Sequence, residues 1–192
     1  MFSRQENNRF RVSLFEIVVS VILILIFLLL ARPFFGKMLE NIERTAFQQV
    51  IGHLNIAANF KMAEYVALDK LNRLPQELNK NPVTWLGIEE LDGWDRYLGE
   101  VDSLDFEQLD AQHWVFDKSM SRLIYKVKYP KLLENKDPIE NRIQFRLKMD
   151  YIDFDENGQF DNETDAINGF RFVPVYPFRW ILNEQSATKK LD

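Results

Sequence analysis

The chain opens with a long apolar block and continues with a periodic alternation of apolar and polar residues. The block runs from Val12 to Ala31 and contains one charged residue, Glu16. At about 1.5 Å of rise per residue, a helix of this length covers a hydrocarbon core of roughly 30 Å. The pattern therefore predicts a transmembrane helix over residues 12–32.

Beyond this block, apolar residues recur every three or four positions as far as Ala58. The spacing predicts that the helix continues outside the membrane over residues 33–74 and ends at Leu74-Pro75. Polar residues, including Glu40 and Glu43, take the other positions, so we expect a solvated outer face. The apolar face must pack on this chain's own sheet or on a partner helix. The residues of this segment that we expect to contact a partner are Pro33, Leu39, Ile42, Val50 and Leu54.

The C-terminal half alternates with the period of β-strands, which predicts an antiparallel sheet domain over residues 112–182. One side of this sheet should be buried and the other solvated. Pro174 and Pro177 restrict the last apolar stretch to an edge strand or to a strand interrupted by a bulge. With the N-terminal helix, the fold class is α+β. The expected strands are residues 113–117, 122–129, 142–149 and 170–182.

Residues 75–111 show no clear period and are rich in acids and aromatic rings. We predict a long acidic connection with short turns that folds back over an edge or face of the sheet, because a free linker would not carry so many rings. The acids from Glu89 onward fit a carboxylate pair or a docking surface for a basic partner, although a solvated loop is the simpler interpretation. Residues 183–192 have the composition of a flexible tail.

Composition and charge remove several classes of function. The chain has 192 residues, a formal net charge of −5 and no cysteine. The length is enough for one modest external domain. The absence of cysteine excludes disulfides and cysteine chemistry. The negative charge argues against a nucleic-acid partner. No phosphate-binding loop, zinc spacing or Ser/His/Asp order occurs, and His53 and His113 lack companions at a telling spacing, so we expect neither an enzyme nor a small-molecule substrate.

The residues before the apolar block set the expected orientation. Arg4, Arg9 and Arg11 precede it against a single acid, Glu6. By the positive-inside tendency, residues 1–11 lie in the cytoplasm and the rest of the chain lies across the membrane. The end of the block offers no small-x-small cleavage site, which indicates an uncleaved anchor.

An acidic stretch, residues 153–161, has the spacing of a calcium-binding loop. Oxygen-bearing side chains occupy positions 1, 3, 5 and 9 of an EF-hand-like loop, with Gly158 at position 6. Thr164 stands where the final bidentate glutamate belongs, and an Asn-Gly hairpin turn with acidic shoulders explains the same residues more simply. Apart from calcium, no cofactor is expected. The candidate ligands are Asp153, Asp155, Asn157 and Asp161.

The first turns of the apolar block resemble the start of type IV pilin-like proteins. Ser13-Leu14-Phe15-Glu16-Ile17 is similar to the threonine-leucine-isoleucine-glutamate-leucine signature of mature pilins, and Pro33 has the spacing from Glu16 of the pilin kinking proline. The resemblance implies a helix half in the bacterial inner membrane and half packed on a periplasmic sheet. It also implies pilins and inner-membrane pilus assembly proteins as partners, with Glu16 pairing with the N-terminal amine of a neighbouring subunit.

Arg11 departs from the pilin pattern. Prepilin peptidase cleaves after a small residue, normally glycine, at this place, so we expect that cleavage is blocked and that the chain stays in the membrane as an accessory protein. The alternative is a processed minor pilin or pseudopilin, built into the pilus or into a type II secretion pseudopilus. The order of motifs in the external part is similar to an accessory protein of the mannose-sensitive haemagglutinin (MSHA) pilus locus. These motifs are Asn81-Pro82, Trp85-Leu86, Tyr97-Leu98-Gly99-Glu100, Trp114-Val115-Phe116-Asp117 and Leu123-Ile124-Tyr125-Lys126-Val127.

Overall fold

A computed structural model describes residues 13–86, 96–161 and 163–181. The chain divides into two compact units, Met1–Leu39 and Glu40–Asp192, which we call the anchor unit and the sheet unit. Three predicted features lie outside the described residues: the cytoplasmic segment, the acids before residue 96 and the C-terminal tail. The helix and strands that the structure describes are α1 (Leu14–Ala67), β1 (Tyr97–Val101), β2 (Trp114–Asp117), β3 (Arg122–Lys126), β4 (Leu133–Asn135), β5 (Arg142–Ile152), β6 (Ala166–Pro174) and β7 (Phe178–Trp180).

Within the described residues, the anchor unit consists of Ser13 and the first part of α1. Its apolar side chains, from Leu14 to Leu30, are largely exposed, as expected for a surface that contacts lipid. The helix is long and apolar enough to span a membrane, in agreement with the sequence prediction. Pro33 lies inside α1, as predicted from the tolerance of membrane helices for proline.

The helix ends earlier than the sequence predicts, at Ala67 rather than Leu74. Asp69 adopts a left-handed conformation with φ 52°. The N–H of Lys70 then donates to the carbonyl of Tyr65 at 2.9 Å, and the N–H of Asp69 donates to the carbonyl of Val66 at 3.1 Å. This pair of bonds is a Schellman motif, which ends α1 because it satisfies carbonyls of the last turn.

The main sheet has five strands in the order β1-β2-β3-β5-β6, and β4 pairs with β7 in a second, two-stranded sheet. The pairs β2-β3, β3-β5 and β5-β6 are antiparallel, as predicted. However, β1 runs parallel to β2, so the sheet is mixed and the prediction of a purely antiparallel sheet is wrong. The prediction of an edge strand near Pro174 is confirmed, because β6 ends at that residue and lies at the sheet edge.

The connection over residues 75–111 is more ordered than the predicted loop. It contains a 3-10 helix at Pro82–Trp85 and the edge strand β1. Its later part places Phe106 and Leu109 against Val115 and Ile124, on the side of the sheet that we expected to be solvated. The prediction that this stretch folds back over the sheet is therefore confirmed, and the prediction of one fully wet face is wrong.

The sheet unit is held together by a cluster of aromatic rings around Phe47 of α1. The Phe47 ring stacks on Trp114 with centroids 5.2 Å apart, and it lies 5.2 Å from Tyr125 and 5.9 Å from Phe145. Leu54 extends the same buried face of α1. The hydrophobic effect is the dominant favourable term in folding. Burying aromatic rings of this size therefore holds the second half of α1 against the sheet.

Candidate functional site

The predicted partner-contact residues of α1 separate into two groups in the structure. Val50 packs against the core of the sheet unit and Leu54 is fully buried there, with 0% exposure. Leu39 and Ile42 remain 40% and 53% exposed. The chain's own sheet therefore covers the later part of the predicted apolar face.

Two glutamates are buried where we expected a solvated helix face. Glu40 and Glu43 have exposures of 6% and 1%, so the prediction for both residues is wrong. Helical periodicity explains the burial of Glu43, because Glu43 lies four residues before the buried Phe47 and shares its face of the helix. A buried carboxylate costs several kcal/mol unless hydrogen bonds satisfy it.

Glu43 obtains its hydrogen bonds from the chain around the end of β3. Its Oε1 accepts from the Tyr125 hydroxyl at 2.9 Å and from the Lys128 N–H at 2.8 Å, and its Oε2 accepts from the Tyr129 N–H at 2.9 Å. Burial, together with the nearby Glu43, raises the pKa of Tyr125 well above its usual range, so the hydroxyl stays a donor. The contact ties α1 to the sheet at one fixed position along both elements.

The sequence contains part of the signal for this contact. Helical spacing places Glu43 on the buried face of α1. A carboxylate buried there needs hydrogen-bond donors from the surface that packs against it. The donors come from residues 82, 85 and 86 positions away along the chain, and no local pattern indicates that they would meet.

Glu16 has a hydrogen-bond partner in Ser13, the residue directly before its own helix. Its Oε2 accepts from the N–H of Ser13 at 2.8 Å, while the N–H of Glu16 lies 3.4 Å from the Ser13 hydroxyl oxygen. This reciprocal arrangement is a capping box, which satisfies free N–H groups at a helix N-terminus. The spacing Ser-x-x-Glu is a recognised sequence signal for it, and our sequence analysis missed it.

The acidic connection between β5 and β6 brings together a different set of carboxylates from the predicted one. Oxygens of Asp153, Asp155 and Asp165 lie within 4.8 Å of one another. Asn157 instead accepts from the Gln159 N–H at 2.7 Å, and Asp161 accepts from the Glu163 N–H at 2.9 Å. The structure therefore brings Asp153 and Asp155 of the predicted set together with Asp165, which directly follows Thr164, and calcium binding at this loop stays a prediction.

The donor set of this loop fits a hard cation such as calcium. All the nearby ligand atoms are carboxylate oxygens, the type that calcium prefers. Within the described residues, Oδ1 of Asp153 is buried without a hydrogen-bond partner. The Gly158 N–H donates to Oδ2 of Asp153 at 2.8 Å and lowers the pKa of this carboxyl, which favours its charged form. Gly158 itself adopts φ 78°, a conformation that favours glycine.

Calcium is expected to raise the melting temperature of the full chain in detergent by a few degrees. A cation that binds only the folded state stabilises it by about 2.7 kcal/mol at one hundred times its Kd, and weak extracellular sites have Kd near about 1 mM. The measurement is tryptophan fluorescence on heating, with calcium at increasing concentrations. Asp153→Asn should abolish the shift, and Glu140→Gln, at an exposed acid elsewhere, should keep it. A melting temperature that calcium leaves unchanged would remove the calcium hypothesis.

The other candidate residues are dispersed. His53 is exposed on α1, whereas the His113 ring nitrogen lies 3.0 Å from the Ala111 carbonyl before β2. In the described part of the acidic run, Asp102 pairs with Lys118 at 2.6 Å and Asp105 accepts from the Glu107 N–H at 3.2 Å. Such contacts are typical of a surface segment with local structural roles.

Three features remain for a functional interpretation: the apolar anchor, the junction of α1 with the sheet, and the charged surfaces of the sheet unit. No known protein family, curated protein or solved structure matches this chain. The proposal that follows depends on the residues and their geometry, and on the resemblance carried by the first helix.

Proposed function

We propose that this chain is a non-catalytic inner-membrane accessory protein for assembly of a type IV pilus of the MSHA kind, most similar to the MSHA pilus biogenesis protein MshF. The observation that carries the proposal is α1 itself. Its first part is long and apolar enough to span a membrane, and its later part, around Phe47 and Leu54, packs on a small mixed sheet. This combination is the layout that the pilin resemblance implies.

The proposal places residues 1–11 in the cytoplasm and the sheet unit in the periplasm, following the arginines before the anchor. In this arrangement, pilins and other assembly proteins contact the chain through its helix and its external unit. Ile42 of the sheet unit supports such a contact, because it is apolar and 53% exposed.

Retention in the membrane, rather than incorporation into a fibre, is supported by two residues. Arg11 occupies the place of the small residue that prepilin peptidase requires. Glu16, which in pilins is thought to pair with a neighbouring amine, already accepts a hydrogen bond from Ser13 of its own chain. A satisfied carboxylate has less need of a partner amine in the bilayer.

Mass spectrometry of the native protein tests this proposal, and we expect an uncleaved N-terminus. The matched variant is Arg11→Gly, which restores the residue that the peptidase recognises and should yield a mature chain beginning at Val12. A wild-type chain that already begins at Val12 would contradict retention and favour the processed minor pilin.

The role in assembly is tested by deleting the gene and counting surface pili. We expect a loss of pili that the wild-type chain restores. Full piliation in the deletion strain would contradict an assembly role, whatever the state of the N-terminus.

A further inference from the structure

The outer face of the sheet, turned away from α1, carries a basic patch over β5 and β6. Along β5, the exposed Arg146 and Lys148 alternate with the buried Leu147 and Met149, so the two cations share this face. Arg171 of β6 lies directly opposite Lys148. We use the name basic patch for Arg146, Lys148 and Arg171.

This patch is incompletely neutralised by the chain's own acids. Arg171 forms an ion pair with Asp150 at 2.8 Å. In the part of the chain that the structure describes, no carboxylate lies within ion-pair distance of Arg146 or Lys148. Like charges placed directly opposite on neighbouring strands destabilise a sheet. An external anionic surface would offset that cost.

The same face carries acids over its other strands. The segment that follows β1 lies across β2 and β3, because Phe106 and Leu109 pack on Val115 and Ile124. The Lys126 ammonium of β3 also lies 4.9 Å from the centre of the Phe106 ring. Three carboxylates of this segment are exposed. We use the name acidic segment for Asp105, Glu107 and Asp110.

We infer that two copies of this chain associate through their outer sheet faces, with the basic patch of each copy against the acidic segment of the other. A two-fold interface requires a surface that is complementary to itself, and two patches of opposite charge on one face meet this requirement. The overall charge of −5 would otherwise repel two copies.

This inference goes beyond the proposed function and does not depend on it. It commits to a second copy of the chain as the occupant, because the required acids and bases are both present on one face. An anionic lipid surface would use the basic patch and leave the acidic segment without a role.

Sedimentation of the full chain in detergent micelles, at increasing protein concentration, tests the inference. We expect a dimer at low salt that dissociates as salt shortens the screening length from about 30 Å at 0.01 M to about 3 Å at 1 M. The double variants Arg146→Glu/Lys148→Glu and Glu107→Lys/Asp110→Lys should each weaken self-association at least about tenfold. Mixed together, the two variants should form a heterodimer, because the net charge of both patches is negative in the first variant and positive in the second.

The matched control is Lys131→Glu/Lys136→Glu, which changes the net charge as much as the first variant does but lies outside both patches. It should dimerise like the wild type. The inference is overturned by a wild-type chain that stays monomeric at low salt, including one that binds anionic lipid nanodiscs instead. It is also overturned if the patch variants dimerise normally or if their mixture forms no heterodimer.

Discussion

Replacing Leu54 with aspartate is expected to unfold the sheet unit of the full chain. Leu54 is fully buried at 0% exposure, within the cluster that joins α1 to the sheet. Truncating a buried leucine to alanine already costs about 2 to 5 kcal/mol. An aspartate adds the cost of burying a carboxyl group that has no hydrogen-bond donors around it. The total loss approaches the whole free energy of unfolding of a typical domain, about 5 to 15 kcal/mol.

Tryptophan fluorescence measures this effect without interference from the anchor, because all 4 tryptophans lie outside the apolar block. The full chain in detergent should lose its cooperative melting transition in Leu54→Asp. The matched control is Ile42→Asp on the same helix, where the side chain is 53% exposed. Its melting temperature should change little, since surface substitutions usually stay within about 0.5 kcal/mol.

The pair of variants also separates folding from association. If Ile42 contacts a pilus partner, Ile42→Asp should reduce piliation while its melting curve stays that of the wild type. A Leu54→Asp chain that melts like the wild type would contradict the packing of α1 on its own sheet, and would favour a partner helix as the cover of that face.

The elements that could be predicted from sequence are those with a sustained period. The apolar block determined the anchor, and alternation located β3 and β5, since a strand with one buried face repeats every two residues. The strand β1 lacks that regularity. Gly99 adopts φ 91°, and the pairing with β2 is irregular between Tyr97 and Glu100. The exposed Leu98 directly follows Tyr97, so the residue types do not alternate along this strand although their burial does.

The residues that sequence reasoning missed depend on contacts between distant parts of the chain. Asp165 joins Asp153 and Asp155 only because the connection between β5 and β6 closes on itself. Glu43 is buried only because the chain after β3 brings donors to it. Periodicity predicts which face of a helix or strand a residue lies on, but it does not predict which groups of the packed surface the residue contacts.

Replacing Glu43 with alanine is expected to lower the stability of the sheet unit by about 3 to 5 kcal/mol. The substitution leaves the Lys128 and Tyr129 N–H groups and the Tyr125 hydroxyl without their acceptor. An unsatisfied buried donor costs about 1 to 3 kcal/mol, and water entering the space left by the side chain would recover part of it. At roughly 2 to 4 °C per kcal/mol for a chain of this size, the melting temperature should fall by about 10 °C.

Three further variants make the Glu43 prediction specific. Glu64→Ala removes an exposed acid from the same helix, one that pairs with Lys61 at 3.0 Å, and it should change stability by less than about 0.5 kcal/mol. Tyr125→Phe removes only the hydroxyl and should cost about 1 kcal/mol. Because Glu43 and Tyr125 share one hydrogen bond, the double variant should lose less stability than the two single losses added together. A Glu43→Ala chain that melts like the wild type would show that the helix is held on the sheet by the aromatic cluster alone.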